Sequence, residues 1–391
     1  MSLDTDRAAE AFAASTDWTV GLEEEFAILD DGLDLVPRFE ELRDAASESD
    51  AVLAESIAGE LISSEIEIRS GRGADLHDAQ ARQRDVRRRL FDLAAARGVQ
   101  LGATGTHPWA DYREQPNIDT EHYRRVVDGL QYVARRNNTF SLHVHVGVQG
   151  ADRAIRVCDR LRPVLPTLLA VSANSPYLDA RDAGLHSART QSFTKSFPRC
   201  GIPDAYGDWA TYAKYIDFLV QTNSIVEYTQ VWWSVRPHFS FGTVEVRICD
   251  AQGTAAESDA LAGLIVACVA QAARDEDEGR PDDELAPRVI EENFWRAIRF
   301  GMDGKLIDYA TLREQPAAAA VADLLSWTAP MRAELAIDPV LPTFNGAQRQ
   351  RRAIAAGAPM EEVYATSVQE TRQTYAQEVS ASWASPQPKT T

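Results

Sequence analysis

Stretches in which apolar and polar residues alternate run through the first 250 positions of the chain. A period of two with many β-branched residues is typical of a strand that buries one face. This pattern predicts strands over residues 18–29, 61–69, 99–104, 141–148 and 239–250. The segments between them have helical periodicity and predict helices over residues 74–97, 119–136, 152–173 and 208–221.

After Thr254 the pattern becomes almost purely helical. It predicts helices over residues 255–275, 287–299, 317–335 and 359–379, and a disordered tail over residues 385–391. A strand-rich part over 18–250 followed by a helical part over 254–384 indicates an α+β fold. We expect a mainly antiparallel sheet with helices packed on one face.

Four of the predicted strands carry charged residues or histidines on the face opposite their apolar residues. Side chains two positions apart on a strand share a face and lie roughly 6.6 Å apart. The residues that share a face in this way are Glu23 with Glu25, Glu65 with Glu67 and Arg69, His143 with His145, and Glu245 with Arg247. One such strand is typical of a half-solvated sheet, whereas four with mostly Glu and His indicate a common site.

Several carboxylates on one sheet face repel one another unless a cation lies among them. A ligand set of carboxylates and imidazoles without sulfur favours Mg²⁺ or Mn²⁺ over Zn²⁺. Because Mg²⁺ commonly bridges protein carboxylates to substrate phosphates, we expect a nucleotide as the partner.

The charge of the chain narrows the candidates for phosphate binding. The 391 residues include 59 Asp and Glu against 40 Lys and Arg, a net charge of −19, which argues against a nucleic-acid-binding protein. Neither a GxxxxGK[ST] loop nor a GxGxxG loop occurs. Because lysines are scarce, phosphate contacts should fall on arginines, with Arg69, Arg236 and Arg247 as candidates beside the acidic strands. A salt bridge to a neighbouring Glu is the alternative for each.

The cysteines and the apolar segments indicate a cytoplasmic protein. The four cysteines form no CxxC pair, which favours free thiols in a reducing compartment. Residues 1–10 lack the features of a signal peptide, and the longest apolar stretch, 261–273, is too short to span a bilayer. We therefore expect no membrane partner.

Several short motifs in order resemble the type 2 glutamate–cysteine ligase (carboxylate–amine ligase) family. They extend from about residue 18 to residue 356 and are residues 21–26 (GLEEEF), 65–69 (EIEIR), 142–147 (LHVHVG), 197–203 (FPRCGIP), 233–237 (WSVRP), 243–250 (TVEVRICD) and 345–352 (NGAQRQRR). Each motif alone is short, but their order over most of the chain is specific.

The resemblance implies a glutamine-synthetase-like fold, whose sheet forms an active-site funnel with two or three Mg²⁺ ions. It implies that ATP phosphorylates the γ-carboxylate of glutamate and that cysteine then displaces phosphate to give γ-glutamylcysteine. The metal ligands it implies are Glu23, Glu25, Glu67, His143 and Glu245. It implies catalytic roles for Glu245 and Arg247, with Arg247 at the transferred phosphoryl group. The nucleotide contacts expected are Arg69, His145, Arg236 and Arg247, with Glu65 and Arg199 as further candidates.

Residues 1–384 are interpreted as one catalytic domain acting on glutamate, cysteine and ATP, with a homodimer as the assembly to consider. An acyl phosphate needs a dry site, so we hypothesise that segments 198–207 and 274–284 border the cleft.

Three other interpretations remain open at this point. The ligase could use an amine other than cysteine. The pair His143 and His145 is similar to the HxH of metal-dependent amidohydrolases, although that motif should open an eightfold βα barrel. A non-catalytic protein with an acidic surface could bind cationic partners.

Overall fold

The computed structural model describes residues 4–282 and 284–376. Its helices are α1 (Thr5–Ala13), α2 (Phe39–Ser49), α3 (Ala51–Ser56), α4 (Leu76–Ala96), α5 (Glu121–Leu130), α6 (Tyr132–Arg135), α7 (Ala151–Leu161), α8 (Leu165–Ser172), α9 (Ala188–Ser192), α10 (Trp209–Gln221), α11 (Ala255–Asp277), α12 (Pro287–Phe300), α13 (Ala317–Glu334), α14 (Gly346–Ala355) and α15 (Met360–Tyr375). Its strands are β1 (Val20–Leu29), β2 (Ile57–Ala58), β3 (Glu65–Arg69), β4 (Gln100–Gly102), β5 (Ser141–Gly147), β6 (Tyr177–Leu178), β7 (Arg181–Asp182), β8 (Cys200–Gly201), β9 (Trp232–Trp233), β10 (Val235–His238), β11 (Thr243–Asp250), β12 (Lys305–Asp308) and β13 (Arg313–Pro316). Short 3₁₀ turns occur at Tyr112–Glu114, Arg162–Val164, Tyr228–Gln230 and Gly301–Asp303.

A seven-stranded antiparallel sheet organises the chain. Its order is β10-β11-β5-β1-β3-β2, and β4 pairs with the second half of β1. All five predicted strands lie in this sheet, so the predicted α+β fold with a mainly antiparallel sheet is confirmed. The predicted strand over 239–250 begins only at Thr243, because residues 239–242 form the turn of the β10–β11 hairpin, where Gly242 has a φ of 62°.

Helices cover one face of the sheet and bury its apolar side chains. Residues such as Leu22, Val144 and Val246 pack with apolar residues of α7, α8 and α11 in the largest hydrophobic cluster. Phe26 and Ile68 join a second cluster that includes α2 and α4. By length and composition α11 could cross a membrane, but 78% of its apolar window is buried inside the protein. It is the central core helix of this layer.

Two predicted helices are interrupted. The prediction over 119–136 divides into α5 and α6 at Gln131, whose φ of 50° is incompatible with a continuous right-handed helix. The prediction over 152–173 divides into α7 and α8 around a 3₁₀ turn that contains Pro163. Proline has no N–H to donate and its ring crowds the preceding turn, which explains the break.

The sequence pattern also missed whole elements. Helices α1, α2, α3, α9 and α14 were not predicted, and the predicted helical third contains the β12–β13 hairpin. The predicted strand over 61–69 begins only at Glu65. The last residues of the predicted helix over 359–379 and the tail over 385–391 lie outside the described residues.

One charged residue lies on the helix-covered face. Glu24 interrupts the apolar residues of β1, and its carboxylate accepts hydrogen bonds from Arg87 (2.6 and 2.7 Å), from Gln83 (2.8 Å) and from Ser258. The Glu24 and Arg87 side chains are only 4% and 1% exposed. This buried ion pair joins α4 to the sheet, and Ser258 adds α11 to the same contact.

Candidate active site

The strand register brings the predicted polar residues together on the face away from the helices. Glu23 lies opposite His143 on β5 and opposite Arg69 on β3. Glu25 pairs with Glu67, and Glu245 pairs with His145. Carboxylates directly opposite each other repel, so this arrangement is costly without a cation.

A β-bulge in β11 sets the direction of Arg247. Val246 pairs with Val144, but the next pairing joins Cys249 to Leu142, so β11 carries one extra residue. Cys249 is fully buried in the core, whereas Arg247 faces the cavity. Strict alternation would have placed both on one face, and the bulge separates them.

The polar face of the sheet forms the floor of a cavity of about 570 Å³. Of the predicted site residues, Glu23, Glu67, Arg69, His143, His145, Arg236, Glu245 and Arg247 line it. An adjoining pocket of about 290 Å³ shares Glu23, Arg69 and His145 with the cavity. The remaining walls carry aromatic side chains, including Tyr123 and Phe241.

Two overlapping groups of side chains could hold metal ions. One contains Glu23, His143 and Glu245, and the other contains Glu25, Glu67 and His143. The ligand atoms within each group lie within 4.8 Å of one another. Together the groups comprise the five residues that the resemblance implies as ligands. Their donors are oxygen and nitrogen only, which fits Mg²⁺ or Mn²⁺.

Burial and neighbouring negative charges raise the pKa values of the carboxylates around β3. Burial and then the neighbouring Glu23 raise the pKa of Glu67 well above its ordinary value. Burial and then Glu25 raise the pKa of Glu65 in the same way, and the Oε2 atom of Glu65 is buried without a hydrogen-bond partner among the described residues. Burial and then Glu25 also raise the pKa of Glu60 to about 7. These groups need protons or a cation among them.

The other carboxylates are compensated by neighbouring cations. Burial acts to raise the pKa of Glu245, but Arg236 and Arg247 outweigh it and hold that pKa well below its ordinary value. Burial also acts to raise the pKa of Glu23, but His145 and His143 outweigh it and lower that pKa strongly. The site thus combines carboxylates that resist ionisation with others that favour it.

The two cavity arginines beside Glu245 differ in how their donors are used. Arg236 donates to Glu245 at 2.7 Å and to the carbonyl oxygens of Thr229 and Val231 at 3.2 and 2.6 Å. Arg247 also bonds Glu245, but its Nε is buried without a partner among the described residues. Arg247 therefore has an N–H that none of the described residues accepts, whereas Arg236 fixes Glu245 and the segment before β9.

Not every predicted position faces the cavity. Arg199 donates to the Gln230 carbonyl at 3.1 Å and lies over the Trp232 ring, and it is absent from the cavity lining.

The hypothesis that segment 274–284 borders the cleft is wrong for its described residues. Glu276 and Asp277 pair with arginines of α7 on the helix-covered side, such as Arg153.

Sequence reasoning missed several lining residues. Glu60 lies in the irregular segment before β3, where no strand period points to a face. Tyr123 lies on α5 and donates to the Gly59 carbonyl at 2.5 Å. Phe241 lies in the β10–β11 turn, and its ring stacks on His238 with a centroid distance of 4.2 Å. Phe241 fell within the predicted strand over 239–250, so the sequence pattern offered no signal for an exposed ring there.

The fold also bears on the amidohydrolase interpretation. His143 and His145 lie on the middle of an antiparallel sheet, whereas that interpretation required them to open an eightfold βα barrel. The interpretation is therefore wrong.

Without divalent cations, the contribution of Glu60 to the free energy of unfolding should fall as pH rises from about 4.5 to about 7. A group with a raised pKa in the folded state stabilises the fold fully below its unfolded pKa, and this stabilisation is lost as pH rises through the folded pKa. For Glu60 this window runs from the ordinary value of 4.5 to about 7. Glu23 and Glu245, whose pKa values are lowered, change their contribution only below that window. Thermal unfolding across this range, with and without Mg²⁺, measures the effect.

Mg²⁺ should reduce this pH dependence, because a cation bound only to the folded state replaces the protons. The variant Glu60→Gln should lack this contribution, so without metal the stability of the wild-type protein relative to the variant should fall as pH rises through this window. The lowered pKa values of His107, His186 and His238 are common to both proteins and cancel in the comparison. An unchanged profile in that variant, together with no effect of Mg²⁺, would contradict the electrostatic account.

The chain is similar to proteins of one family over most of its length. The family model for glutamate–cysteine ligase family 2 matches residues 19–364. A Solibacter usitatus protein provisionally named glutamate–cysteine ligase 2 is 35% identical over 365 residues, covering 90% of this chain and 93% of its own. A Gloeobacter violaceus protein with the same provisional name is 38% identical over 352 residues, covering 87% and 93%.

Solved structures share the fold at low sequence identity. Glutamate–cysteine ligase from Francisella tularensis, in complex with AMP, superimposes with a TM-score of 0.67 at 12% identity over 93% of this chain and 91% of its own. A bifunctional glutathione synthetase from Pasteurella multocida gives a TM-score of 0.65 at 13% identity, covering 95% of this chain and 54% of its own. With the family model matching most of its residues, the chain belongs to glutamate–cysteine ligase family 2.

Proposed function

We propose that the protein is an ATP- and Mg²⁺-dependent ligase that converts the γ-carboxylate of glutamate to γ-glutamyl phosphate and joins it to an amine, releasing ADP and phosphate. Cysteine, which the names of the relatives include, is the first candidate acceptor and would give γ-glutamylcysteine. The observation that carries the proposal is the pair of buried carboxylate groups that share His143 on the cavity floor.

The carboxylate groups define where cations would bind. Glu23, His143 and Glu245 would hold one Mg²⁺, and Glu25, Glu67 and His143 would hold a second, with Mn²⁺ as a substitute. Bound there, the ions would offset the negative charge of the ATP phosphates. The raised pKa values of Glu65 and Glu67 support this, since burial and then the neighbouring carboxylates oppose their ionisation in the absence of a cation.

The protein's own cations act on the transferred group. Arg247 lines the cavity and is partly exposed, so its guanidinium can donate to an oxygen of the phosphoryl group as charge develops there. Arg236 is a positioning residue, because it holds Glu245 in place through a bidentate contact. Arg69 is half-exposed between Glu23 and Glu67 and can reach an anionic ligand.

The pocket of about 290 Å³ is our proposed site for the nucleotide base. It joins the cavity at Glu23, so a base in the pocket would leave its phosphates near the carboxylates. Phe241 is 58% exposed at this junction, and one face of its ring is free of His238. Arg72 and the backbone at Gly71 supply polar groups to the same pocket.

Helix α5 covers part of the cavity. Tyr123 of this helix bonds the Gly59 carbonyl, and His122 contacts Glu227 at 2.5 Å on the segment before β9. These contacts join α5 to two other segments that line the cavity, and such cover would limit hydrolysis of an acyl phosphate by water.

We propose that residues 1–384 form one catalytic domain of a cytoplasmic enzyme that acts on small molecules.

The test separates glutamate activation from the choice of amine. Hydroxylamine is a small nucleophile that converts an acyl phosphate to a hydroxamate, so glutamate, ATP, Mg²⁺ and hydroxylamine should together give γ-glutamyl hydroxamate and ADP. Aspartate, one methylene shorter, is the matched control and should give much less. ADP release that does not depend on glutamate, or no hydroxamate at all, would contradict the proposal.

A further inference from the structure

Three aromatic residues, Phe193, Phe197 and Trp232, form one wall of the cavity, which we call the aromatic wall. The ring centroids of Phe193 and Phe197 are 4.5 Å apart, and those of Phe197 and Trp232 are 5.4 Å apart. Phe197 is buried, and the other two rings are partly exposed. A continuous apolar surface thus faces the same space as the carboxylates.

The aromatic wall and the proposed nucleotide pocket lie beside different parts of β11. Arg189 stands over Phe193 and donates to the carbonyl oxygens of Arg247 and Ile248, which places the wall beside the bulge of β11. The nucleotide pocket instead adjoins Thr243 at the start of β11. No residue of the wall lines that pocket. The end beside the wall is therefore left for the amino substrates.

Each guanidinium that lines the cavity is already bonded to a glutamate. Arg69 donates to Glu67 at 2.5 Å, and Arg236 and Arg247 both donate to Glu245. Their remaining N–H groups are needed to bind the phosphates and the substrate glutamate. A charged side group on the acceptor would have to compete for these donors.

Basic residues beside the aromatic wall do not line the cavity. Arg199 lies over Trp232 and Arg189 over Phe193, but both donate to backbone carbonyl oxygens. Lys195 forms an ion pair with Glu291. Neither arginine is among the residues that line the cavity, so neither is available to a group bound there. An acidic or basic group packed there would lose water without gaining a partner, whereas an apolar group would gain contact area.

We propose that the acceptor is a primary amine with an uncharged apolar group, aryl or branched alkyl, that packs against the aromatic wall. This deepens the ligase function and rests on it. The CH₂SH group of cysteine would fill only part of this surface, so bulkier apolar amines should be used better than cysteine. An aromatic group on the acceptor could also stack against the rings in an offset or edge-to-face geometry.

The bond changes are those of acyl transfer. The amine nitrogen attacks the γ-carbonyl carbon of γ-glutamyl phosphate and forms the new C–N bond. The C–O bond to phosphorus-bound oxygen breaks, and phosphate leaves with that electron pair. The nitrogen gives its surplus proton to the departing phosphate.

The test compares acceptors within one protein. With glutamate and ATP–Mg²⁺ held constant, we expect kcat/KM for leucine and phenylalanine to exceed that for alanine by about 10-fold or more, since pocket contacts of one or a few methylenes have that effect. Cysteine should lie between them, and aspartate and lysine should fall below alanine. Amide products are identified by mass spectrometry.

Variants of Trp232 test whether the aromatic wall causes the preference for apolar amines. In Trp232→Ala the ratio of kcat/KM for phenylalanine over alanine should fall by about 10-fold, and Trp232→Phe should recover most of it. Because the ratio is taken within each variant, a smaller folded fraction cancels. Trp295→Ala is the matched control, since Trp295 is an exposed tryptophan on α12 outside the cavity, and it should keep the wild-type ratio.

The outcomes distinguish the two proposals. Hydroxamate formation combined with no preference for apolar amines, or with an unchanged ratio in Trp232→Ala, overturns the acceptor assignment alone. No hydroxamate in the wild-type protein overturns both proposals.

Discussion

Replacing Glu67 by glutamine is expected to reduce glutamate-dependent ADP release by about 10²- to 10³-fold. The substitution keeps the size of the side chain and removes one carboxylate of the group that contains Glu25 and His143. A neutral amide is a poor ligand for a divalent cation, so the phosphates of ATP would lose part of their charge compensation. Coupled measurement of ADP at saturating ATP and glutamate gives the effect.

The same substitution should leave the metal-free fold as stable as before, or more stable. Glu67 lies beside Glu23, Glu25 and Glu60, and its pKa is raised well above the ordinary value because burial and Glu23 oppose its ionisation. Removing the charge therefore relieves repulsion. Thermal unfolding without Mg²⁺ tests this, and the stabilisation that Mg²⁺ gives the wild-type protein should become smaller.

Glu55→Gln is the matched control, because Glu55 is exposed on α3 and does not line the cavity. It should retain wild-type activity and stability. Wild-type ADP release in Glu67→Gln would count decisively against the metal assignment.

Glu245→Gln is a less informative test of the metal assignment, because it would leave the buried Arg236 and Arg247 without their counter-charge.

Replacing Arg87 by alanine is expected to lower the free energy of unfolding by about 3–5 kcal/mol. Glu24 would remain in the core beneath the sheet with its negative charge uncompensated. Burial acts to raise the pKa of Glu24, and the interaction with Arg87 is the main effect that lowers it below its ordinary value. Denaturant unfolding of the variant and the wild-type protein measures the loss.

Arg88→Ala is the control for this prediction. Arg88 follows Arg87 on α4 but pairs with Asp85 and Asp92 at the surface, where such a pair contributes little. Replacing Glu24 and Arg87 together by leucine and methionine should recover much of the stability, since apolar residues can substitute for a buried ion pair. Equal losses in the Arg87 and Arg88 variants would show that the buried pair is not the cause.

Much of the candidate site could be predicted from residues two apart in the sequence. The alternation in β1, β3 and β5 assigned Glu23, Glu67 and His143 to one face without knowledge of their neighbours. It works because strand geometry ties the face of a side chain to its position in the chain. The same reasoning could not place Glu60, which follows no strand period.

Helix breaks and partner choices were harder to predict. Pro163 was a visible signal for the division between α7 and α8, whereas the positive φ of Gln131 was not. Glu24 looked like an exception to an apolar stripe, because its partner Arg87 lies on a helix 63 residues later. Periodicity describes one element at a time and cannot identify the residue across the contact.

The sequence by itself determined five strands of the central sheet and the polar face of four of them, because these follow from local spacing, and donor chemistry led to the expectation of a divalent cation on that face. Only the tertiary structure decided that two groups of possible metal ligands share His143, that a bulge separates Arg247 from Cys249, and that three aromatic rings line the same cavity. Those features depend on register and packing between segments distant in the chain. Local sequence constrains such contacts only weakly.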